Sequence, residues 1–191
     1  MKNFLKEQFT FNTVQVVTMG LLVAIEIVLN RFASFNVWNL KIGLAFVPVM
    51  LAGMLMGPVK AGVVGAVSDF LGAIIFPIGA YFPGFTFGAF LKGVLYGALL
   101  YKKQSVLNIA ITSIIDQLVI SLFVTSIWIS ILYGSPYMGI VYTRLVQVLP
   151  LTPVELVIGV VLAKSLVKPL KPYTQRLTKK KSKQSKQNIK V

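Results

Sequence analysis

Long apolar runs alternate with short polar or turn-forming stretches along most of the chain. A helix that crosses the hydrocarbon core of a bilayer needs about 20 residues, with a range of about 17–25. The pattern therefore predicts an all-α integral membrane protein with six transmembrane helices. The second run is short and contains Pro48, so we expect that helix to be kinked or incompletely spanning. The helices are expected at residues 13–30, 43–56, 59–76, 84–101, 106–133 and 139–166.

The composition agrees with a membrane protein. Hydrophobic residues make up 56% of the 191 residues and charged residues 13%, whereas a soluble domain has roughly 45–50% and about 25%. These values exclude an ordinary soluble enzyme and a disordered chain. The sequence also has no cysteine and no histidine, which excludes disulfides, cysteine nucleophiles, histidine triads and HExxH metal sites.

Basic residues are concentrated at the C-terminal end. The chain carries 19 Lys and Arg against five acidic residues, a net charge of +14, and ten of the 19 lie in residues 164–191. Residues 169–191 are predicted to form a disordered basic tail after a single membrane domain of residues 1–168. No aromatic residue follows Tyr173, so attraction to anionic lipid is favoured over nucleic-acid binding.

The distribution of charge also predicts the orientation. Six helices place both termini on one side, and if that side is the cytoplasm, inside segments hold 15 basic residues, including Lys60, against two outside. The positive-inside rule therefore predicts both termini inside. The outer loops are then expected at residues 31–42, 77–83 and 134–138, and the middle one is rich in Pro and Gly, as in a structured turn or lid.

Ionisable residues within the predicted spans mark candidate sites, because burying such groups in a bilayer costs at least a few kcal/mol each. The structural alternative is a salt bridge that holds helices together. Helical periodicity places Asp69 on one stripe with Gly62, Gly65 and Gly72, so its carboxylate is predicted to point into the bundle. On the sixth span, Arg144 and Gln147 share a stripe. Asp116 lies off the polar stripe of the fifth span, which favours a structural role; that stripe consists of Gln117, Ser121, Thr125 and Trp128. The residues concerned are Glu26, Asp69, Lys92, Asp116, Arg144 and Glu155.

The charged and aromatic positions are expected to form an outward-facing pocket. Cations suit an anionic ligand tail, aromatic faces suit a flat ring, and a carboxylate suits adjacent ring N–H and amino donors. A planar heterocycle with a carboxylate tail would satisfy all three. The candidates are Arg31 and Lys41 at the rim, Arg144 and Trp128 on the wall, Asp69 at the floor, and the aromatics from Tyr81 to Phe85 above.

The first helix has two distinct faces. Gly20 and Ala24 form a small-xxx-small pair, which marks close helix packing in lipid. Glu26 and Asn30 share a different side. The polar side is therefore predicted to face the bundle and the small-residue side to be available to another helix, with packing inside the same bundle as the alternative.

Five stretches together resemble the S-components of energy-coupling factor (ECF) vitamin transporters, and most closely the folate-specific branch. The resemblance covers most of residues 10–168 and excludes the basic tail. The five stretches are residues 29–32 (LNRF), 41–44 (KIGL), 52–58 (AGMLMGP), 69–72 (DFLG) and 77–86 (PIGAYFPGFT). The stretch at residues 77–86 is the most specific of the five.

This resemblance implies a high-affinity substrate-binding subunit in the plasma membrane of a bacterium. It binds folate or a related pterin-glutamate outside and releases it inside by toppling within a complex. The implied partners are a transmembrane coupling subunit, contacted through Gly20 and Ala24, and two cytoplasmic ATPase subunits. The family has no catalytic site, and the chain contains no GxxxxGK[ST] loop; neither cofactor nor metal is implied.

The resemblance also suggests a role for each pocket residue. Arg31 and Lys41 would hold the ligand carboxylates, and Asp69 would meet the pterin. Trp128 and Arg144 would complete the pocket. The gating outer loop would be formed by Tyr81, Phe82, Phe85 and Thr86.

Three other functions are weighed against this one. An S-component for pantothenate or riboflavin would also use a cationic rim. A standalone secondary transporter is disfavoured, because many such transporters alternate access by moving one internal repeat against another, and these six helices show no detectable repeat. An intramembrane enzyme would need an Asp/Asp or Ser/Lys pair, and neither Asp69 nor Asp116 lies in a recognisable catalytic motif.

Overall fold

The computed structural model describes residue 9 and residues 11–37, 40–77 and 79–169, without the side chains of residues 35–42. Six helical segments form one bundle, which confirms the predicted fold class, and five of the described helices are long and apolar enough to cross a membrane. The elements are α1 (Thr13–Phe32), β1 (Ser34–Val37), β2 (Leu40–Gly43), α2 (Phe46–Met56), α3 (Pro58–Ile75), α4 (Pro83–Leu100), α5 (Val106–Ile115), α6 (Thr125–Tyr133) and α7 (Tyr137–Leu162).

Two π-helical segments complete the last two spans. The first, Asp116–Val124, joins α5 to α6 and makes one span of Val106–Tyr133; the second, Ala163–Val167, extends α7. Three residues of the predicted second helix do not belong to α2. Gly43 pairs with Ser34 in an antiparallel hairpin, so α2 begins only at Phe46. The hairpin occupies most of the stretch that was expected to be the first outer loop.

Local sequence signals explain where several helices begin and end. Asn12 and Gln15 form a capping box at the start of α1. Ser105 accepts a hydrogen bond from the backbone nitrogen of Asn108 at 3.2 Å and caps α5. Gly134 ends α6 with φ of 63°, a left-handed conformation that favours glycine.

Helices α3 and α4 pack backbone against backbone through glycines. A Cβ at Gly93 would collide with the carbonyl group of Ala61, and one at Gly97 with the backbone of Pro58. Gly62 lies against Phe90 in the same interface, at 2.8 Å from a built Cβ to the ring. Close approach of small residues is how membrane helices gain packing energy without a hydrophobic driving force.

The two ends of the bundle differ. The end that we call the closed end is filled by apolar side chains, among them Met50, Met54, Leu100, Ile109 and Val167, each at most 1% exposed. The opposite end carries the hairpin and the α3–α4 loop, and we call it the cavity end.

Two predictions concern residues at the closed end or beyond it. Lys60, expected on the cytoplasmic side, lies buried in the first turn of α3, where its Nζ donates to Gln15 Oε1 at 2.8 Å. Residues 170–191, most of the predicted basic tail, lie outside the described residues. The orientation with both termini inside stays a prediction.

Candidate functional site

A cavity of about 510 Å³ occupies the cavity end of the bundle and is lined by residues from all six helical spans. This volume lies within the range of about 300–1,000 Å³ that is typical of small-molecule sites. Its lining mixes apolar surface with many polar side chains. The polar lining residues are Glu26, Asn30, Arg31, Asp69, Tyr81, Lys92, Gln117, Ser121, Thr125, Tyr133, Arg144 and Gln147.

The cavity brings together five of the side chains that were predicted from the sequence, namely Arg31, Asp69, Tyr81, Phe85 and Arg144. They lie on four helices and on the α3–α4 loop, so side chains that are distant in the sequence do converge. Three further candidates, Phe82, Thr86 and Trp128, lie behind this lining. The side chain of Lys41 lies outside the described residues, although its backbone is part of β2.

A short hydrogen-bonded chain connects the α3–α4 loop to the cavity wall. Thr86 Oγ1 donates to Asp69 Oδ2 at 2.7 Å. Because that uses the one hydroxyl hydrogen of Thr86, the Tyr81 hydroxyl must donate to Thr86 Oγ1, at 3.1 Å. The loop is therefore bonded to the same carboxylate that faces the cavity, and a ligand reaching Asp69 would act directly on this connection.

Aromatic rings surround the mouth of the cavity. Phe82 lies between Phe85 and Trp128, with ring centroids 6.1 Å and 5.8 Å away, respectively. On the other side of the loop, Tyr81 packs edge-on against Phe70 at 5.8 Å. Trp128 thus supports the loop from outside the lining, and its buried Nε1 has no hydrogen-bond partner among the described residues.

Two arginines supply positive charge to the cavity. Arg144 is only 7% exposed, and the Nε atoms of Arg31 and Arg144 have no hydrogen-bond partner within the described residues. Gly72 leaves room for Arg31, since a Cβ there would lie 3.3 Å from its guanidinium nitrogens. Arg31 is partly buried. Guanidinium groups that are withdrawn from water and have unused N–H donors are suited to bind a carboxylate.

Helix α1 presents two faces, as its sequence predicts. Glu26 and Asn30 are buried and line the cavity, with Asn30 Nδ2 donating to Glu26 Oε1 at 2.9 Å. Gly20 and Ala24 are exposed, and a Cβ at Gly20 would meet nothing within 4 Å. The small-residue pair therefore does not pack inside this bundle, and its role in binding a partner helix stays a prediction.

A polar network beneath the cavity joins three segments of the chain. Lys92 of α4 forms an ion pair with Asp116 Oδ2 at 2.9 Å. The hydroxyl of the fully buried Tyr96 lies 3.0 Å from Asp116 Oδ2 and 2.7 Å from Glu155 Oε1 of α7. Gln117 Nε2 donates to Glu155 Oε2 at 2.7 Å.

Most of this network has no function that the sequence predicts. Lys92, Asp116 and Glu155 are recognisable in the sequence as intramembrane charges, and a structural role is favoured for Asp116, but their pairing is not predictable from it. Their occurrence on three different spans was the available signal. The described residues contain no group of three or more acidic side chains that could hold a metal ion.

The sequence of this chain is similar to a known family of membrane proteins. The family model for the substrate-specific component of ECF transporters matches residues 14–168. The chain is 41% identical over 141 residues to the folate transporter FolT of Clostridium novyi (strain NT), covering 73% of this chain and 82% of the relative. It is 28% identical over 152 residues to FolT of Leuconostoc mesenteroides subsp. mesenteroides, covering 75% and 81%.

Two solved structures are similar to the chain. A crystal structure of FolT bound with folic acid aligns with a TM-score of 0.75 and 33% identity, over 79% of this chain and 93% of the other. The S component of a bacterial ECF transporter aligns with a TM-score of 0.59 and 24% identity, over 82% and 97%. The second similarity concerns the fold alone.

Proposed function

Because the chain belongs to the family of substrate-specific components of ECF transporters, we propose that it is the folate-binding subunit of such an importer. It binds folate from outside the cell and releases it inside when coupled to ATP-driven partner subunits. The relatives that are named folate transporters support this substrate. The single observation that carries the proposal is the cavity, in which the buried Arg144, the partly buried Arg31, a carboxylate and aromatic rings face one space.

Each part of the ligand has a chemical counterpart in the cavity. Arg31 and Arg144 bind the glutamate carboxylates through charge-assisted hydrogen bonds, with Lys41 contributing from the hairpin. Asp69 meets the pterin part of the ligand, while Phe85 and Tyr81 cover the face of its ring. Thr86, Phe82 and Trp128 act on the loop that closes over the ligand.

Transport needs partners, because this subunit has no ATPase of its own. We place the coupling subunit of the transporter on the exposed Gly20–Ala24 face of α1, with two ATPase subunits in the cytoplasm. The whole complex lies in the plasma membrane of a bacterium, with the cavity end outside. Five of the six spans carry exposed large apolar side chains, and α2 carries none. This exposed apolar surface is accounted for by lipid and by the partner.

Equilibrium titration of the purified full-length chain in detergent tests the substrate. Folic acid is expected to bind tightly at one site, and riboflavin and pantothenate to bind at least 100-fold more weakly. Preferential binding of riboflavin or pantothenate would show that the substrate is a vitamin other than folate. Uptake by this chain alone under a proton or sodium gradient would contradict the need for partner subunits.

The substitution Gly20→Leu tests the partner face. A leucine there would separate two helices that must approach closely, so ATP-dependent folate uptake by cells or vesicles that contain all subunits should be lost while binding is unchanged. Gly139→Leu is the matched control, because Gly139 is also exposed and its Cβ would also meet nothing within 4 Å. Normal uptake by the Gly20 variant would contradict the assignment.

A further inference from the structure

Gln117 is the most deeply buried amide among the cavity lining residues. It lies in the π segment, is 1% exposed and lines the cavity. Its Nε2 donates to Glu155 Oε2 at 2.7 Å, whereas its Oε1 has no hydrogen-bond partner among the described residues. One end of the amide is thus held, and the other end is a buried acceptor without a partner on a residue that lines the cavity.

The carboxyl group of Glu155 fixes the orientation of this amide. An accepting oxygen must face the NH₂ group and not the carbonyl of Gln117, so rotation of the amide by 180° would place two acceptors in contact. Glu155 is itself held by the Tyr96 hydroxyl at 2.7 Å. The cavity is therefore presented with a hydrogen-bond acceptor whose position is set by groups behind it.

The position of Gln117 suits the inner end of a ring. Glu155 lies 11 residues after Arg144 on one helix, which is about 16 Å along the axis at 1.5 Å per residue. In folate, the ring edge with the exocyclic amino group is opposite the attachment of the glutamate tail. A tail bound by Arg144 therefore directs that amino edge toward Glu155 and the amide beside it.

We propose that Gln117 Oε1 determines specificity by accepting a hydrogen bond from the exocyclic amino group of the pterin ring, with Glu155 as its positioning residue. The inference rests on the proposed folate function. It also gives a physical reason for discrimination, because a ring that lacks this amino group leaves a buried acceptor unsatisfied.

The test compares two ligands on the same protein. Folic acid and an analogue in which a methyl group replaces the exocyclic amino group are titrated into the full-length chain and into its Gln117→Leu variant. We expect the variant to bind folic acid roughly ten- to a hundredfold more weakly, because one buried hydrogen bond is lost. Its affinity for the methyl analogue should change by less than about threefold.

The ratio of the two affinities separates recognition from folding, since any general damage to the variant weakens both ligands alike. Gln104→Leu is the matched control: Gln104 donates to the Leu100 carbonyl at 2.6 Å, away from the cavity lining, and its loss should leave the ratio unchanged. Glu155→Leu frees the Gln117 amide and should reduce the preference for folic acid only in part.

The outcomes also separate this inference from the proposed function. Equal losses for both ligands in Gln117→Leu would overturn the role of the amide while leaving a folate-binding protein. Failure of the unaltered chain to bind folic acid would overturn the proposed function itself.

Discussion

The closed end and the cavity end are built from the same six spans but bury different chemistry. At the closed end, methionine, leucine and isoleucine side chains fill the space between helices, and glycines let α3 and α4 touch. At the cavity end, the same helices stay apart and direct charged and amide side chains into the gap. The tightly packed half holds the helices in fixed positions, which allows the other half to keep an open, polar cavity.

The network of Lys92, Tyr96, Asp116, Gln117 and Glu155 lies at the boundary between these halves. It satisfies charges that would otherwise be left unpaired within the bundle, and it ties α4 and α7 to the π segment. Substitutions on the two sides of this boundary should therefore have separable effects. Those toward the closed end should change stability, and those toward the cavity end should change ligand binding.

The largest effect on stability is expected at the boundary itself. Lys92→Met leaves the fully buried Asp116 without its cation, which should lower the free energy of unfolding by about 3–5 kcal/mol. Thermal unfolding of the ligand-free protein in detergent measures this. Lys103→Met, at an exposed lysine, is the control. Adding Asp116→Leu to Lys92→Met should restore part of the loss; an unchanged unfolding midpoint in the single variant would show that the ion pair carries no stability.

The next largest effect concerns the cavity. Arg144→Ala should weaken folate binding by roughly 100-fold or more, since charge-assisted hydrogen bonds to the ligand are lost at about 1.5–3 kcal/mol each. Stability of the ligand-free protein should change little, because Arg144 Nε has no partner there. Calorimetric titration together with thermal unfolding checks both halves of this prediction. Arg144→Lys should recover only part of the affinity, because an ammonium group cannot bind a carboxylate bidentately.

Two glycines of α4 compare the halves within one helix. Gly97→Ala places a methyl group against the backbone of Pro58 and should lower the free energy of unfolding by about 1–3 kcal/mol. Gly88→Ala, where a Cβ would meet nothing within 4 Å, should leave stability equal or slightly raised, since alanine favours helix by about 1 kcal/mol. Thermal unfolding of both variants is the measurement. Equal destabilisation of the two would mean that the ends are packed alike.

The smallest effect is expected at the loop. Tyr81→Phe removes the hydroxyl that donates to Thr86 at 3.1 Å, a single partly exposed hydrogen bond worth about 0.5–1.5 kcal/mol. Folate should dissociate a few times faster, with thermal stability unchanged, in stopped-flow and unfolding measurements. Thr86→Val removes the next member of the chain and should give a larger increase. An unaltered dissociation rate in both variants would show that the hydrogen bonds from Tyr81 through Thr86 to Asp69 do not keep the loop closed over the ligand.

Some site residues were predictable because single-helix periodicity determines them. Asp69 shares a stripe with three glycines, and Arg144 shares one with Gln147, so their inward direction follows from 3.6 residues per turn. Trp128 was predicted on the cavity wall by the same periodicity, yet it lies behind the lining beside Phe82. The π segment before it holds more residues per turn than an α-helix, which rotates the side chains that follow.

By itself, the sequence determined the number of helical spans, the type of fold and the presence of several charges within the spans. These properties follow from local hydrophobicity and from the length that a bilayer demands. The pairing of Lys92 with Asp116, the hairpin before α2 and the amide orientation of Gln117 were decided only by the tertiary structure. Each depends on contacts between segments that are distant in the chain, and helical periodicity gives the direction of a side chain but not the group that it meets.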